Sequence, residues 1–138
     1  MKCKLTSLGL LWLRVLAGCG IAYHGYGKLF GGGMDKFAGF VGSIGVPFPE
    51  IMAWVAAGSE FGGGILMAIG LLTRPAAFMV FGTMTVAAFG AHANDPFMKK
   101  ELALAYWTIS GALMMTGAGL FSIDSKCCKF EKKLRQDS

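Results

Sequence analysis

The chain is 138 residues long, with 54% hydrophobic and only 15% charged residues. That length fits one domain, and a soluble domain typically carries ~25% charged residues, so the composition argues against an ordinary soluble enzyme. Glycine is abundant, at 21 residues, and membrane helices use glycine where their backbones approach closely. The net charge of +5 comes from cations at the ends of apolar segments and in the C-terminal tail. We therefore expect a membrane protein, with the lipid bilayer and not nucleic acid as its partner.

Four apolar segments are long enough, or nearly so, to cross a membrane as helices. A spanning helix needs ~20 apolar residues for a hydrocarbon core of ~30 Å, and four spans are too few for a closed barrel. The segments cover residues 5–26, 51–72, 76–93 and 102–121. The third is the shortest and follows the sharp Thr73-Arg74-Pro75 connection, so we interpret it as a returning span. The sequence predicts an all-α fold, an integral membrane four-helix bundle.

The distribution of Lys and Arg predicts the orientation, because cytoplasmic loops carry an excess of both. Eight lie on one predicted side, which are Lys2, Lys4, Arg74, Lys126, Lys129, Lys132, Lys133 and Arg135. Four lie on the other side, which are Lys28, Lys36, Lys99 and Lys100. We expect both termini in the cytoplasm and the protein in a bacterial inner (plasma) membrane as a multi-pass protein. Residues 1–125 would form the membrane domain and residues 126–138 a basic cytoplasmic tail.

The first outer loop is the one long connection between predicted spans. Phe37, Phe40, Val41 and Ile44 follow an i, i+3, i+4, i+7 pattern within it, which is typical of a helix with one apolar face. Such a helix would lie in the membrane interface or cover the bundle. The loop therefore predicts a short interfacial helix.

The N-terminal span contains Leu16-Ala17-Gly18-Cys19, which matches a lipoprotein cleavage site. Apolar sequence continues beyond Cys19, and Arg14 interrupts the apolar run before it, so we favour an uncleaved span. Cys3, Cys127 and Cys128 would share the cytoplasmic side, where thiols stay reduced. A thiol relay between Cys3 and the other two is the alternative to inert thiols.

Ionisable residues inside membrane spans are costly and therefore informative. Arg14 and Glu60 are each placed nine residues into an antiparallel span, which predicts similar depths and an Arg14–Glu60 ion pair. The pair would either fix the helix register or line a polar cavity that handles protons or an anion. Gly58 and Gly62, which flank Glu60 in a G-x-x-x-G pattern, predict close approach of another helix.

The outer ends of the spans hold the two histidines. His24 and Lys28 form an i, i+4 pair on one face of the first helix, and His92 falls at a similar depth in the third span. A bis-histidine haem or metal site is one interpretation, and interfacial histidines without a ligand are the other. The cysteine spacing matches no metal motif, so no metal site is predicted.

Two stretches of the chain resemble the DoxX family of bacterial membrane proteins over roughly residues 8–121. The first is Arg14-Val15-Leu16-Ala17-Gly18 followed by His24-Gly25-Tyr26-Gly27-Lys28-Leu29. The second is Glu60-Phe61-Gly62-Gly63-Gly64-Ile65-Leu66 followed by Ile69-Gly70-Leu71-Leu72-Thr73-Arg74. The resemblance implies a four-span membrane protein, and some family members are subunits of a thiosulfate:quinone oxidoreductase.

The resemblance implies a membrane subunit of an oxidoreductase system, without an independent catalytic centre, that binds a quinone-like molecule among the helices. Arg14, Glu60 and Lys28 would supply the buried polar site, while His24 and Tyr106 would hydrogen-bond a quinone carbonyl and His92 would lie nearby. The resemblance favours a quinone over a haem as the cofactor. The expected partners are a soluble redox protein or a second copy of the chain. A noncatalytic membrane scaffold and a small transporter are the alternatives.

Overall fold

A computed structural model describes residues 2–127, with the side chains of residues 4–127. The predicted tail from Lys129 onward, Cys128 and the side chain of Cys3 lie outside the described residues. Within them the chain contains helices and no strand, which confirms the all-α prediction.

Six α-helices and two π-helical segments lie within residues 2–116, and a further short helical stretch covers residues 123–127. In chain order the α-helices are α1 (Lys2–Phe30), α2 (Met34–Ser43), α3 (Pro49–Gly58), α4 (Gly64–Ile69), α5 (Thr73–Thr85) and α6 (Phe97–Thr116). The π-helical segment Ser59–Gly63 joins α3 to α4, and Val86–Ala91 extends α5. Each predicted span therefore coincides with a helical stretch. The fourth ends five residues early, because Gly117 leaves the helix with a φ of +77°.

Two of these stretches, Lys4–Phe30 and Pro49–Ile69, are long and apolar enough to cross a membrane. Large apolar side chains also face outward: Trp12 is 72% exposed, and Trp54 and Phe78 are more than half exposed. Exposed apolar surface on this scale is typical of a face that meets lipid. The structure thus has the helices of a membrane protein, while the number of spans and the side of the termini stay predictions.

The predicted helix of the long loop is present as α2. Gly32 precedes it with a φ of +70°, and Gly45 follows it with a φ of +81°; glycine adopts this left-handed backbone without steric cost. Val41 on the apolar face of α2 is buried in the protein, and α2 packs against α3. The helix therefore covers one side of the bundle.

Glycines fix the register between α1 and the antiparallel stretch from α3 to α4. A Cβ atom at Gly18 would lie 2.5 Å from the carbonyl oxygen of Gly64, and one at Gly64 would lie 2.7 Å from the amide nitrogen of Ala22. These backbones can touch only because no side chain separates them. The prediction that Gly58 and Gly62 make the close approach is wrong, since a Cβ at either position meets nothing within 4 Å.

Candidate functional site

Glu60 forms its ion pair with Lys28. The Lys28 Nζ atom lies 2.7 Å from both carboxylate oxygens of Glu60, and the Glu60 side chain is only 3% exposed, against 31% for Lys28. The predicted Arg14–Glu60 pair is therefore wrong. A carboxylate this deeply buried needs a charged partner, and Lys28 supplies it from the last turn of α1.

The helix register explains why Arg14 cannot reach Glu60. The close contact of Gly25 with the backbone of Phe61 places Glu60 beside the outer part of α1. Arg14 lies eleven residues earlier in α1, which is roughly 16 Å along a helix axis at ~1.5 Å per residue. The sequence-based estimate counted the first span from the cytoplasmic edge of the membrane and the second from the outer edge, so that the two spans lay level. The glycine contacts instead offset them by about two turns.

Arg14 instead holds three segments together at the other end of the bundle. Its guanidinium donates to the carbonyl oxygens of Met67 and Ala68, the latter at 2.7 Å, and to that of Phe121. Arg14 is only 2% exposed, and it lines neither of the two cavities that border the Lys28–Glu60 pair. Close by, the Asp124 carboxylate accepts hydrogen bonds from the backbone of Leu72 and Thr73. We call this cluster the Arg14 clasp. Its role is structural, because it holds α1 against α4 and against the chain around Phe121.

A cavity of about 540 Å³ lies on one side of the Lys28–Glu60 pair, beneath α2. Its walls are mostly apolar and come from α2, α3, α5 and the segment that follows α5; they include Phe37, Val41, Met52, Phe78 and Val86. Its volume falls within the ~300–1,000 Å³ typical of small-molecule sites. The ion pair therefore forms the polar end of an apolar cavity large enough for a ligand.

The Phe37 ring connects α2 to this polar end. The Lys28 Nζ atom lies 4.5 Å from the centroid of the ring, within the range of a cation–π contact. Lys28 thus binds a carboxylate on one side and an aromatic wall of the cavity on the other.

A second, smaller cavity of about 210 Å³ adjoins the first and is richer in polar groups. Lys28, Glu60, Ala87 and His92 line both cavities, so the ion pair stands between them. The other polar residues of the smaller cavity are His24, Lys99 and Tyr106. A volume of this size suits a polar head group or a few waters better than a whole ligand.

His24 and Tyr106 meet in this smaller cavity. Their rings make an edge-to-face contact with centroids 6.1 Å apart. A Cβ atom at Gly20 would collide with the Tyr106 hydroxyl, so the missing side chain at Gly20 makes room for that group. The two side chains predicted to bind a quinone carbonyl are therefore placed together.

His92 ends the π-helical segment after α5 and pairs with an acidic residue of the next loop. Its Nδ1 atom lies 2.8 Å from a carboxylate oxygen of Asp95. This hydrogen bond is the main cause that holds the pKa of Asp95 below its usual value, and the nearby Lys99 acts in the same direction. Asp95 is consequently ionised at neutral pH.

Of the predicted site residues, Glu60, Lys28, His24, His92 and Tyr106 lie together around the two cavities, while Arg14 lies apart. Sequence reasoning missed Asp95, Lys99 and the role of Phe37. The sequence carries a signal for one of them, since Asp95 follows His92 by three residues, a spacing that places two side chains close in a helical turn. Among the described residues no group of three or more His, Cys, Asp or Glu is arranged to hold a metal ion.

Comparison with known proteins decides the family. The DoxX family model matches residues 9–93, which include α1 from residue 9 onward, the Lys28–Glu60 pair and His92. The chain belongs to the DoxX family. It is 33% identical over 130 residues to the Bacillus subtilis (strain 168) protein named "Putative oxidoreductase CatD", covering 94% of each chain.

Two further relatives are inner membrane proteins of Escherichia coli (strain K12). This DoxX protein is 32% identical to YqjF over 128 residues, with 88% of this chain and 93% of YqjF covered. It is 30% identical to YphA over 113 residues, with 74% and 78% covered. No solved structure matches the chain. The relatives and the apolar helices together support a membrane location.

Proposed function

We propose that this DoxX protein is a membrane subunit of an oxidoreductase system and binds a quinone-like molecule at the Lys28–Glu60 pair. One observation carries the proposal: an apolar cavity of about 540 Å³ ends at a buried ion pair, beyond which a small polar cavity begins. A quinone has the matching form, with an apolar body and carbonyl oxygens at the ring. The name of the relative CatD supports the redox assignment.

The polar groups suit a ring that carries carbonyl oxygens. Tyr106 and His24 line the smaller cavity, and both types of side chain can donate a hydrogen bond to a carbonyl. Lys28 faces both cavities, so its ammonium would lie beside the ring of a ligand that spans them. The apolar body would pack against α2, α3 and α5. Apolar walls with a few placed polar groups are the usual composition of a ligand site.

In this proposal the protein is a multi-pass membrane protein with four spans and cytoplasmic termini. The ligand would enter from the bilayer, in which quinones dissolve. Electrons would pass between the bound ligand and a soluble redox partner. The chain's own contribution would be to bind and orient the ligand and to handle its protons.

Filling the larger cavity tests the proposal. A Cβ at Gly82 meets open space, and Gly82 lines the larger cavity, so Gly82→Leu should fold while its side chain occupies ligand space. Gly9→Leu is the matched control, because Gly9 lies in α1, meets nothing within 4 Å and lines neither cavity. The measurement is titration of a short-chain ubiquinone or menaquinone analogue into the purified protein in nanodiscs.

We expect the wild type and Gly9→Leu to bind the quinone with equal affinity, and Gly82→Leu to bind at least tenfold more weakly. Tenfold corresponds to about 1.4 kcal/mol. Absence of quinone binding by the wild type would refute the proposal. Equal binding by Gly82→Leu would show that the quinone does not lie in this cavity.

A further inference from the structure

The His92–Asp95 pair has the arrangement of a positioned base. An ionised carboxylate only accepts hydrogen bonds, so the Nδ1 atom of His92, 2.8 Å away, carries the hydrogen and donates it to Asp95. The other nitrogen of a neutral imidazole, Nε2, is then unprotonated and free to accept a proton. Asp95 thereby selects one tautomer of His92, as a carboxylate does wherever it orients a catalytic imidazole.

His92 belongs to both cavities, whereas Asp95 lies outside them. His92 lines the larger and the smaller cavity, and the side chains of His92 and Asp95 are each 35% exposed. A proton accepted by His92 inside the site would therefore be held by a group that also reaches the surface. Asp95 would stabilise the imidazolium that forms.

Charged and titratable groups face His92 from each neighbouring element. The α1 helix contributes His24 and Lys28, the segment Ser59–Gly63 contributes Glu60, and α6 contributes Lys99 and Tyr106. Lys28 and Glu60 neutralise each other, with both carboxylate oxygens on one ammonium. Lys99 lines the smaller cavity without an ion-pair partner among residues 4–127. Of the two lysines that line the smaller cavity, Lys99 is therefore the one whose charge can meet an ionised oxygen of a ligand.

We propose that the smaller cavity takes the hydroxyl of a phenol or hydroquinone, that His92 accepts its proton, and that Asp95 positions His92. In this step the phenolic O–H bond breaks, the proton binds Nε2 of His92, and the phenolate oxygen remains beside Lys99; no electron is transferred. The inference rests on the proposed function, because a hydroquinone is the reduced form of the quinone-like ligand. It adds the class of head group and the residue that receives its proton.

The test uses 4-nitrophenol, whose yellow phenolate absorbs apart from the neutral phenol. The full-length protein in nanodiscs is titrated with the probe across a pH series, and the phenolate fraction of the bound probe is read from its spectrum. The variants are Asp95→Asn, which keeps the shape but no longer selects the tautomer, and His92→Gln. Glu101→Gln is the matched control, since Glu101 is exposed and lines neither cavity. Quinone binding is measured in parallel on every variant.

We expect wild type and Glu101→Gln to raise the ratio of phenolate to phenol about tenfold over that of the free probe at the same pH. Asp95→Asn should lose most of that enrichment while it still binds the quinone analogue, because Asp95 lines neither cavity. His92→Gln should lose all of the enrichment. Full enrichment in either variant, or no enrichment in the wild type, would overturn the inference. Quinone binding by the wild type would in that case leave the proposed function standing. A wild type that binds neither the quinone nor 4-nitrophenol would overturn both.

Discussion

The α1 helix contributes one charge to the Arg14 clasp and one to the Lys28–Glu60 pair, yet the surroundings of these two sites differ in kind. The Arg14 guanidinium donates hydrogen bonds to backbone carbonyls of three residues, and Arg14 lines neither of the two cavities. The Lys28–Glu60 pair stands between two cavities and leaves Lys28 partly exposed. Burial of a charge in an apolar helix therefore does not by itself mark a functional site. A cavity beside the charge distinguishes a candidate ligand site from a structural contact.

The largest expected effect comes from removing the Arg14 clasp. Arg14→Met would remove the guanidinium donor from the carbonyl oxygens of Ala68 and Phe121, whereas that of Met67 still accepts from the amide of Gly70. Each unsatisfied buried polar group costs ~1–3 kcal/mol. We expect the free energy of unfolding to fall by about 3 kcal/mol or more, measured by denaturant unfolding in micelles. The folded fraction should bind the quinone analogue as the wild type does.

Arg74→Met is the control for the clasp, because Arg74 is exposed and makes one long hydrogen bond, 3.4 Å from the carbonyl oxygen of Met115. Its stability should change by no more than ~0.5 kcal/mol, as is usual for surface substitutions. An Arg14→Met protein of normal stability that has lost quinone affinity would invert the comparison. Arg14 would then belong to the ligand site.

A smaller effect is expected from Asp124, the other charge of the clasp. Its carboxylate accepts from the amides of Leu72, at 2.7 Å, and Thr73, at 3.0 Å, where α5 begins. Loss of a carboxylate cap costs ~0.5–2 kcal/mol, so Asp124→Ala should lower the free energy of unfolding by about 1 kcal/mol. Quinone affinity should not change. Asp35→Ala, on the exposed side of α2, is the control; an equal loss in both would remove the capping explanation.

Much of the fold could be predicted because apolar length and periodicity are local properties of a sequence. The helical segments and α2 follow from them. The glycines on the contact face were harder, since Gly58 and Gly62 fit the packing pattern as well as Gly64 does. A π-helical segment begins after Gly58, and it decides which glycines meet α1.

In the candidate site, too, local features could be predicted from the sequence and tertiary contacts could not. Glu60, Lys28, His24 and His92 could be found because polar residues are rare in these segments. The partner of Glu60 could not, because pairing depends on the offset between two helices, which tertiary contacts determine. Asp95 was missed because its signal in the sequence is only the three-residue spacing from His92. Its role becomes visible when the fold places the imidazole 2.8 Å from the carboxylate.

The central claim is that the Lys28–Glu60 pair serves a ligand, and a double substitution tests it most directly. Lys28→Met would leave the buried Glu60 carboxylate unpaired, and breaking a buried ion pair costs ~3–5 kcal/mol, whereas replacing both partners can be near neutral. The measurement is the quinone affinity of Lys28→Met/Glu60→Gln in nanodiscs, alongside its free energy of unfolding. The account predicts a double variant within about 1 kcal/mol of wild-type stability that binds the quinone analogue at least tenfold more weakly. Wild-type stability with undiminished quinone affinity would contradict it and reduce the pair to a second structural clasp.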